Sequence, residues 1–432
     1  MRPGARIRAA IEVLEDIAVN HRPASTALAD WGRSHRFAGS GDRTAIGTIV
    51  FDALRNRNSF AWKMRTDAPR ALALAAAGEA LGLSLEDLQR NADGSEYSIA
   101  PLSDEEVEGL NRAVSDEVPL EVAGDLPEWL AASFEKTFGA RAGEEGRGLS
   151  QRAPIDLRVN ALKATREKVL KAFEKFAAVP TALSPLGVRI PPPKGAAKSP
   201  NVEADTAHGK GWFEVQDEGS QLAALIAGAG PREQVLDFCA GAGGKTLAMA
   251  AGMQNTGQIY AYDSSRSQLR PIFERLKRAG VRNVQVMEAG DEEMLANLAG
   301  RFDLVLVDAP CTGSGTWRRR PDAKWRLKPE ALELRIAEQR AALASAAPSV
   351  KPGGRLVYVT CSVLDEENGG QVAAFLAEHP EFSLSPVGEH WVARIGGACP
   401  VSADGATETM LLTPASHGTD GFFIAVLKRQ VD

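Results

Sequence analysis

Cysteine is scarce in this chain of 432 residues, with only Cys239, Cys311, Cys361 and Cys399. No two form a C-x-x-C pair, which removes the usual signature of a structural zinc site, and no metal is expected. Their wide spacing argues for free thiols rather than a disulfide framework. Long apolar runs are missing as well. No stretch approaches the roughly 18 residues that a membrane span needs. The opening segment MRPGARIRAAIEVLEDI interrupts its apolar residues with acids, so no secretory leader is expected. The reading is a cytoplasmic protein with no membrane association. An excess of positive charge is also absent: 50 Lys/Arg stand against 56 Asp/Glu, a formal net charge of -6. Overall charge therefore does not announce a polyanionic partner. The distribution is more telling. Residues 1–70 hold twelve Lys/Arg against seven Asp/Glu, whereas 71–130 hold two against fourteen. The acidic excess is local, and basic surface survives elsewhere.

What is present is organised in three parts, as expected of a chain longer than one hydrophobic core supports. Residues 1–125 lack strand-like alternation and read as a helical domain. Ile7 to Val19 has helical apolar spacing, and Asp42 is placed to cap a helix from Arg43 to Arg55. Residues 126–205 read as a small α/β domain. In it Ile155, Leu157 and Val159 alternate along a strand, Thr165 starts an amphipathic helix, and a Pro/Gly/Lys-rich loop ends near Pro200. Its centre is basic through Arg152, Arg158, Lys163, Arg166, Lys168, Lys171 and Lys175, a pattern that also suits a solvated helix face. Residues 206–432 alternate strand and helix. The runs QVLDFCAG, QIYAYDSS, NVQVMEAG, FDLVLVDAP and RLVYVTCS are separated by helices at Thr246–Met253, Arg266–Ala279 and Pro329–Ala346. This is the pattern of a parallel, doubly wound α/β sheet, in which ligands bind beyond the carboxyl ends of the strands.

The first of those ends is Gly-rich: Asp237, Phe238, Cys239, Ala240, Gly241, Ala242, Gly243, Gly244, Lys245, Thr246. Such a turn lets backbone approach a ligand and aims helix N–H groups at it. A phosphate-binding P-loop would need Gly where Cys239 stands, and a dinucleotide fingerprint would need Gly where Thr246 stands. A Gly-rich loop led by an acid suits S-adenosylmethionine, which has no phosphate. Asp263 ends the second strand about 20 residues on, placed for the ribose hydroxyls. Asp291 follows the third strand and could meet the adenine edge. Each acid alone could be a helix cap; three at successive strand ends together with the loop favour a cofactor cleft.

The fourth run ends in Asp308-Ala309-Pro310-Cys311 and the fifth in Thr360-Cys361-Ser362. Two thiols thus reach the ligand-binding edge, where a purely structural cysteine has no reason to be. Cytosine C5 is a poor nucleophile until a thiolate adds to C6. A carboxyl near N3 and the exocyclic amine stabilises the charge that this addition creates, and Asp308, beside Lys245, is the candidate.

The stretches DFCAGAGGKT, LVLVDAPCTGSGTWRRRPDAKW and VYVTCSVLDEENGGQV resemble the motifs of the Nop/Sun family of RNA cytosine-5 methyltransferases. The resemblance extends over about 126–432 and includes RVNALK, FEVQDEGSQL and SHGTDGFFIAVLKR. It implies a seven-stranded, Rossmann-like class I methyltransferase fold with S-adenosylmethionine as cofactor. It implies that Cys361 is the nucleophile and that Cys311 assists release. Ala242 stands where the family loop often has proline, which leaves the glycines of the turn intact. More weakly, GDRTAIGTIVFDALRNRN resembles the helical antitermination-factor domain that precedes bacterial ribosomal-RNA members.

Past the second motif, Arg318, Arg319, Arg320, Lys324 and Trp325 interleave cations with an aromatic, as an RNA-binding loop does. A basic surface loop with packed tryptophans fits the same letters. The target cytosine must be single-stranded or flipped. The expected substrate is ribosomal RNA, with transfer RNA the alternative, acted on by a monomer. A catalytically idle RNA-binding assembly factor would not need both cysteines. A small-molecule methyltransferase would not need the basic loop.

Overall fold

The computed structural model describes residues 1–114 and 117–431. The chain forms two compact units. The first comprises Met1–Arg152, Pro192–Pro200 and Trp317–Leu327. It is built on helices Pro3–Asn20, Ser40–Arg55 and Pro69–Leu81, whose inner faces bury Ile7, Val13, Ile46, Ile49, Val50 and Leu74. Asp42 does not cap its helix. The helix starts earlier, at Ser40 behind Gly39, and the Asp42 carboxylate in the first turn accepts from the Met1 ammonium and Arg6 Nε, both at 2.9 Å. Residues 126–152 cluster with this unit and contain helices Ala131–Phe138 and Ala142–Leu149.

The stretch 317–327 also packs here, which corrects part of its reading as an RNA-binding loop. Trp317 is buried and stacks on Phe134. Helix Pro321–Arg326 lies on helix Ser40–Arg55, so Lys324 faces the core. Lys324 is 1% exposed, and its Nζ donates to Arg55 O at 3.2 Å and Ser150 Oγ at 3.0 Å. Burial pulls its pKa down to about 8 against the opposing charge of Asp125. An ammonium so enclosed is out of reach of a phosphate. Trp325, half-buried, donates from Nε1 to Leu54 O at 2.6 Å, and Arg318 is buried. Of the cations singled out there, Arg319 and Arg320 are exposed.

The second unit comprises Ala153–Pro191, Asn201–Thr316 and Lys328–Asp432. Its smaller sheet is antiparallel, in the order β2-β3-β1-β4, from β1 (Ile155–Val159), β2 (Val179–Pro180), β3 (Gly187–Ile190) and β4 (Phe213–Val215). Thr165 caps helix Arg166–Ala172, accepting from Lys168 N. The polar residues of β1 are buried too. Asp156 pairs with Arg189, and Arg158 turns toward the larger sheet.

That larger sheet has β5 (Gln234–Asp237), β6 (Gln258–Ala261), β7 (Val284–Val286), β8 (Phe302–Asp308), β9 (Val350–Thr360), β10 (Phe382–Ser385), β11 (Met410–Leu412) and β12 (Phe422–Arg429). The order is β10-β12-β9-β8-β5-β6-β7, with β5 to β9 parallel and β12 antiparallel between β9 and β10. This is the expected seven-stranded, Rossmann-like class I methyltransferase arrangement, extended by β11, which pairs with the first half of β12. Leu304 to Val307 and Leu356 to Val359 are fully buried, as central parallel strands covered on both faces require. The helix expected over Arg266–Ala279 is broken into Arg266–Leu269 and Ile272–Ala279 around Pro271, which has no N–H to continue the ladder. Among the described residues no helix is long and apolar enough to cross a membrane.

Candidate active site

The carboxyl ends of β5, β6, β8 and β9 bring the sequence-selected groups of the catalytic sheet together. After β5 the chain turns through Gly241 (φ 49°) and Gly243 (φ 81°) into helix Gly244–Gly252. A Cβ on Gly243 would lie 2.5 Å from Ile272 Cγ1, so glycine is needed there for both conformation and space. Two arginines brace the turn from outside: Arg275 Nη1 donates to Ala242 O at 2.8 Å, and Arg158 Nη1 donates to Gly244 O at 2.6 Å. Arg158, read earlier as part of a basic surface, is a buried strut whose pKa burial lowers to about 10.

Three carboxylates gather here. Asp263 is 8% exposed; its Oδ2 accepts from Gly241 N at 3.0 Å and its Oδ1 from Ser265 N at 2.8 Å. Asp237 is buried, with Oδ2 accepting from Thr246 Oγ1 at 2.6 Å and Oδ1 without a protein partner. Burial, reinforced by the charges of Asp308 and Asp263, pushes its pKa up to about 7. Asp308 Oδ2 pairs with Lys245 Nζ at 2.6 Å. Asp291 caps helix Glu292–Asn297, its Oδ1 accepting from Met294 N at 2.9 Å. The set fits S-adenosylmethionine: an unpartnered buried carboxylate oxygen among acids is satisfied by a cationic ligand, and the open turn at Gly241 leaves room, since a Cβ there would meet only Gln268 Oε1 at 3.8 Å. Asp263→Ala is therefore expected to weaken S-adenosylmethionine binding several-fold to a hundredfold, about 1–3 kcal/mol for a lost charged acceptor. Calorimetry giving an unchanged affinity would remove the ribose assignment.

Cys311 Sγ and Cys361 Sγ lie 3.3 Å apart. Cys311 holds its proton well beyond the usual thiol range because it hydrogen-bonds to Cys361, is largely shielded from water, and feels the negative charge of Glu367. The loop carrying Cys311 passes directly against the turn before β12. Gly315 N donates to Cys361 O at 3.0 Å, and Gly421 N donates to Gly315 O at 2.8 Å. A Cβ on Gly315 would lie 2.3 Å from Gly421 O, so this crossing excludes any side chain. Cys239 is partly buried near Asp308 and Asp263; desolvation above all, with their charge, raises its pKa. Cys399 packs at the edge of the sheet core. Spacing along the chain does not reveal Arg158, Arg275, Gln339, Glu367 or Asn368 as parts of this region. The only sign of the last two was their place in the quoted VYVTCSVLDEENGGQV stretch.

Residues 225–428 match the family model of the 16S rRNA methyltransferase RsmB/F, and residues 126–195 match that of the RsmF/B-like ferredoxin-like domain. A probable ribosomal RNA small subunit methyltransferase B of Synechocystis sp. is 33% identical over 330 residues, covering 75% of this chain and 71% of its own length. Another from Bacillus subtilis is 33% identical over 317 residues, covering 70% of this chain and 66% of its own. Among solved structures, PH0851 superposes with a TM-score of 0.73 at 27% identity, covering 99% of both chains. With this fold, and with a strand-end cleft suited to S-adenosylmethionine, the chain belongs to the RsmB/F family of 16S rRNA methyltransferases.

Proposed function

We propose that the protein methylates C5 of a cytosine in small-subunit ribosomal RNA through a covalent adduct between Cys361 and C6. The observation that carries this reading is the pair of thiols 3.3 Å apart after β8 and β9, with Asp308, the partner of Lys245, ending the strand that leads to Cys311. S-adenosylmethionine supplies the electrophilic methyl group, with Asp263 on its ribose and Asp291 on the adenine side. The Cys361 thiolate adds to C6, and the displaced electron pair makes C5 nucleophilic. Asp308 holds the exocyclic amine, and Lys245 offsets the charge that develops on the ring. After methylation the C5 proton leaves to a base, the C6–S bond breaks, and the electron pair returns to the Cys361 sulfur. Cys311 keeps its proton and sits in hydrogen-bond contact, placed to protonate that departing sulfur. The exposed Arg319 and Arg320 supply phosphate contacts.

Bisulfite sequencing of small-subunit RNA incubated with the protein tests the reading. One cytosine should become resistant, only when S-adenosylmethionine is present. Methyl label recovered on another base or at another ring position overturns it.

A further inference from the structure

We infer that two consecutive residues, Glu367 and Asn368, are positioning residues that hold the two thiols in register. The inference rests on the two-cysteine chemistry proposed above. The residues follow β9 at the end of a short turn, Asp365–Glu367, and both are buried. Each takes charge of one cysteine by binding the residues that flank it.

Glu367 serves Cys311. Its Oε1 accepts from Thr312 N at 2.8 Å, and its Oε2 accepts from Thr312 Oγ1 at 2.5 Å. Oε1 also accepts from Gln339 Nε2 at 2.9 Å, and the same Nε2 donates to Pro310 O at 2.9 Å. The peptide groups before and after Cys311 are thus tied to one carboxylate, directly on one side and through Gln339 on the other. Asn368 serves Cys361 in the same manner. Its Nδ2 donates to Ser362 O at 3.0 Å, and its Oδ1 accepts from Thr360 Oγ1 at 2.6 Å. Tyr358 on β9 donates from its hydroxyl to Glu367 O at 2.6 Å, which fixes the dipeptide to the strand that bears Cys361.

The arrangement explains how two loops from different strands keep a sulfur–sulfur contact of 3.3 Å. Cysteine side chains are short, so their separation follows the backbone. The backbone positions on either side of both cysteines answer to adjacent residues joined by one peptide bond. A carboxylate with three donors and an amide using both its ends are well-determined anchors, since any shift leaves a buried polar atom unsatisfied.

The two halves of the clamp have different expected failures. Glu367→Gln removes one acceptor and loosens the Cys311 turn. It should leave attack by Cys361 intact, slow release, lower kcat at least tenfold with little change in KM, and accumulate the covalent protein–RNA adduct on denaturing gels. Asn368→Ala loosens the Cys361 turn. It should slow adduct formation itself, so that no band accumulates. Glu367→Asp should restore part of the turnover lost in Glu367→Gln. S-adenosylmethionine affinity and the melting temperature, read alongside, should stay near the parent values in Glu367→Gln.

A measurement independent of turnover covers the variants that fold poorly. In the native parent, the thiol oxidant diamide should form the Cys311–Cys361 disulfide quickly, as read by mass spectrometry. Both variants should form it at least fivefold more slowly. Parent-like adduct levels and parent-like oxidation in both variants overturn the inference. The Cys311→Ala protein serves as the control that separates the two proposals. If it traps adduct while Glu367→Gln does not, positioning by Glu367 is wrong and the covalent reading stands. If it traps none, the two-cysteine reading itself has failed.

Discussion

Cys361→Ala is expected to abolish methyl transfer, and Cys311→Ala is expected to remain linked to its RNA product. The two residues have equal access to each other's sulfur, yet their roles are separable. Cys361 closes β9, and losing its sulfur removes the only bond to C6 that the mechanism contains. With Cys361 gone, burial and the negative charge of Glu367 still disfavour a Cys311 thiolate, and a thiol adds far more slowly than a thiolate. The residual rate should fall to background. Cys311→Ala retains the attacking sulfur, so methylation proceeds and the adduct waits for a proton that no longer arrives. Denaturing gels with labelled RNA separate the cases. A slow-migrating band is expected for Cys311→Ala and none for Cys361→Ala. The reverse pattern would make Cys311 the nucleophile, and full activity in both would end the covalent proposal.

The second large effect concerns the ion pair beside them. Asp308→Ala is expected to lower single-turnover methyl transfer by about 10²–10³, the usual loss when a preorganised partner of developing charge is removed. Two things are lost together. The exocyclic amine loses its acceptor, and Lys245, 6% exposed, is left with a buried ammonium whose 2.6 Å carboxylate partner has gone. Asp308→Asn keeps the shape and loses the charge, and it should fall in the same range. Because the two residues act as one unit, Lys245→Ala combined with Asp308→Ala should cost little more than either alone. A loss smaller than tenfold in Asp308→Ala, measured with saturating S-adenosylmethionine, would reduce the pair to a structural role.

Much of this site is legible in the sequence because strand ends are. A parallel strand buried on both faces reads as an unbroken apolar run, and the residue after the run is where ligands bind. That logic reaches Asp237, Asp263, Asp308, Cys311 and Cys361 without coordinates. It also reaches Asp291, which the structure puts in the turn after β7 as the cap of helix Glu292–Asn297. The reasoning runs out where polarity and burial part company. Lys324 and Arg319 are five residues apart in one basic stretch, and only tertiary packing decides that the first is a core cation and the second an exposed one. Arg158 has the polar phase of an alternating strand, but it is buried against Gln216 and the start of helix Gly244–Gly252. Asp42 has the composition of a cap and is used instead for two cations. Glu367 and Asn368 sit in an acidic run that looks like any helix start. Their partners lie up to 55 residues away, and no local pattern encodes that.

The placement of β12 has a consequence for how the protein is made. This strand, Phe422–Arg429, lies between β9 and β10 and pairs Phe423 with Thr360, immediately before Cys361. During synthesis the parallel strands emerge and can associate first, but β9 keeps an unpaired edge until β12 has left the ribosome. The gap between them spans some sixty residues of nascent chain, so its closure is a late and non-local step. Until then the β9 edge, with its apolar run 356–359, stands open to pairing with other chains. The same delay means that the strand leading into Cys361 is locked in place only when the sheet around it is complete.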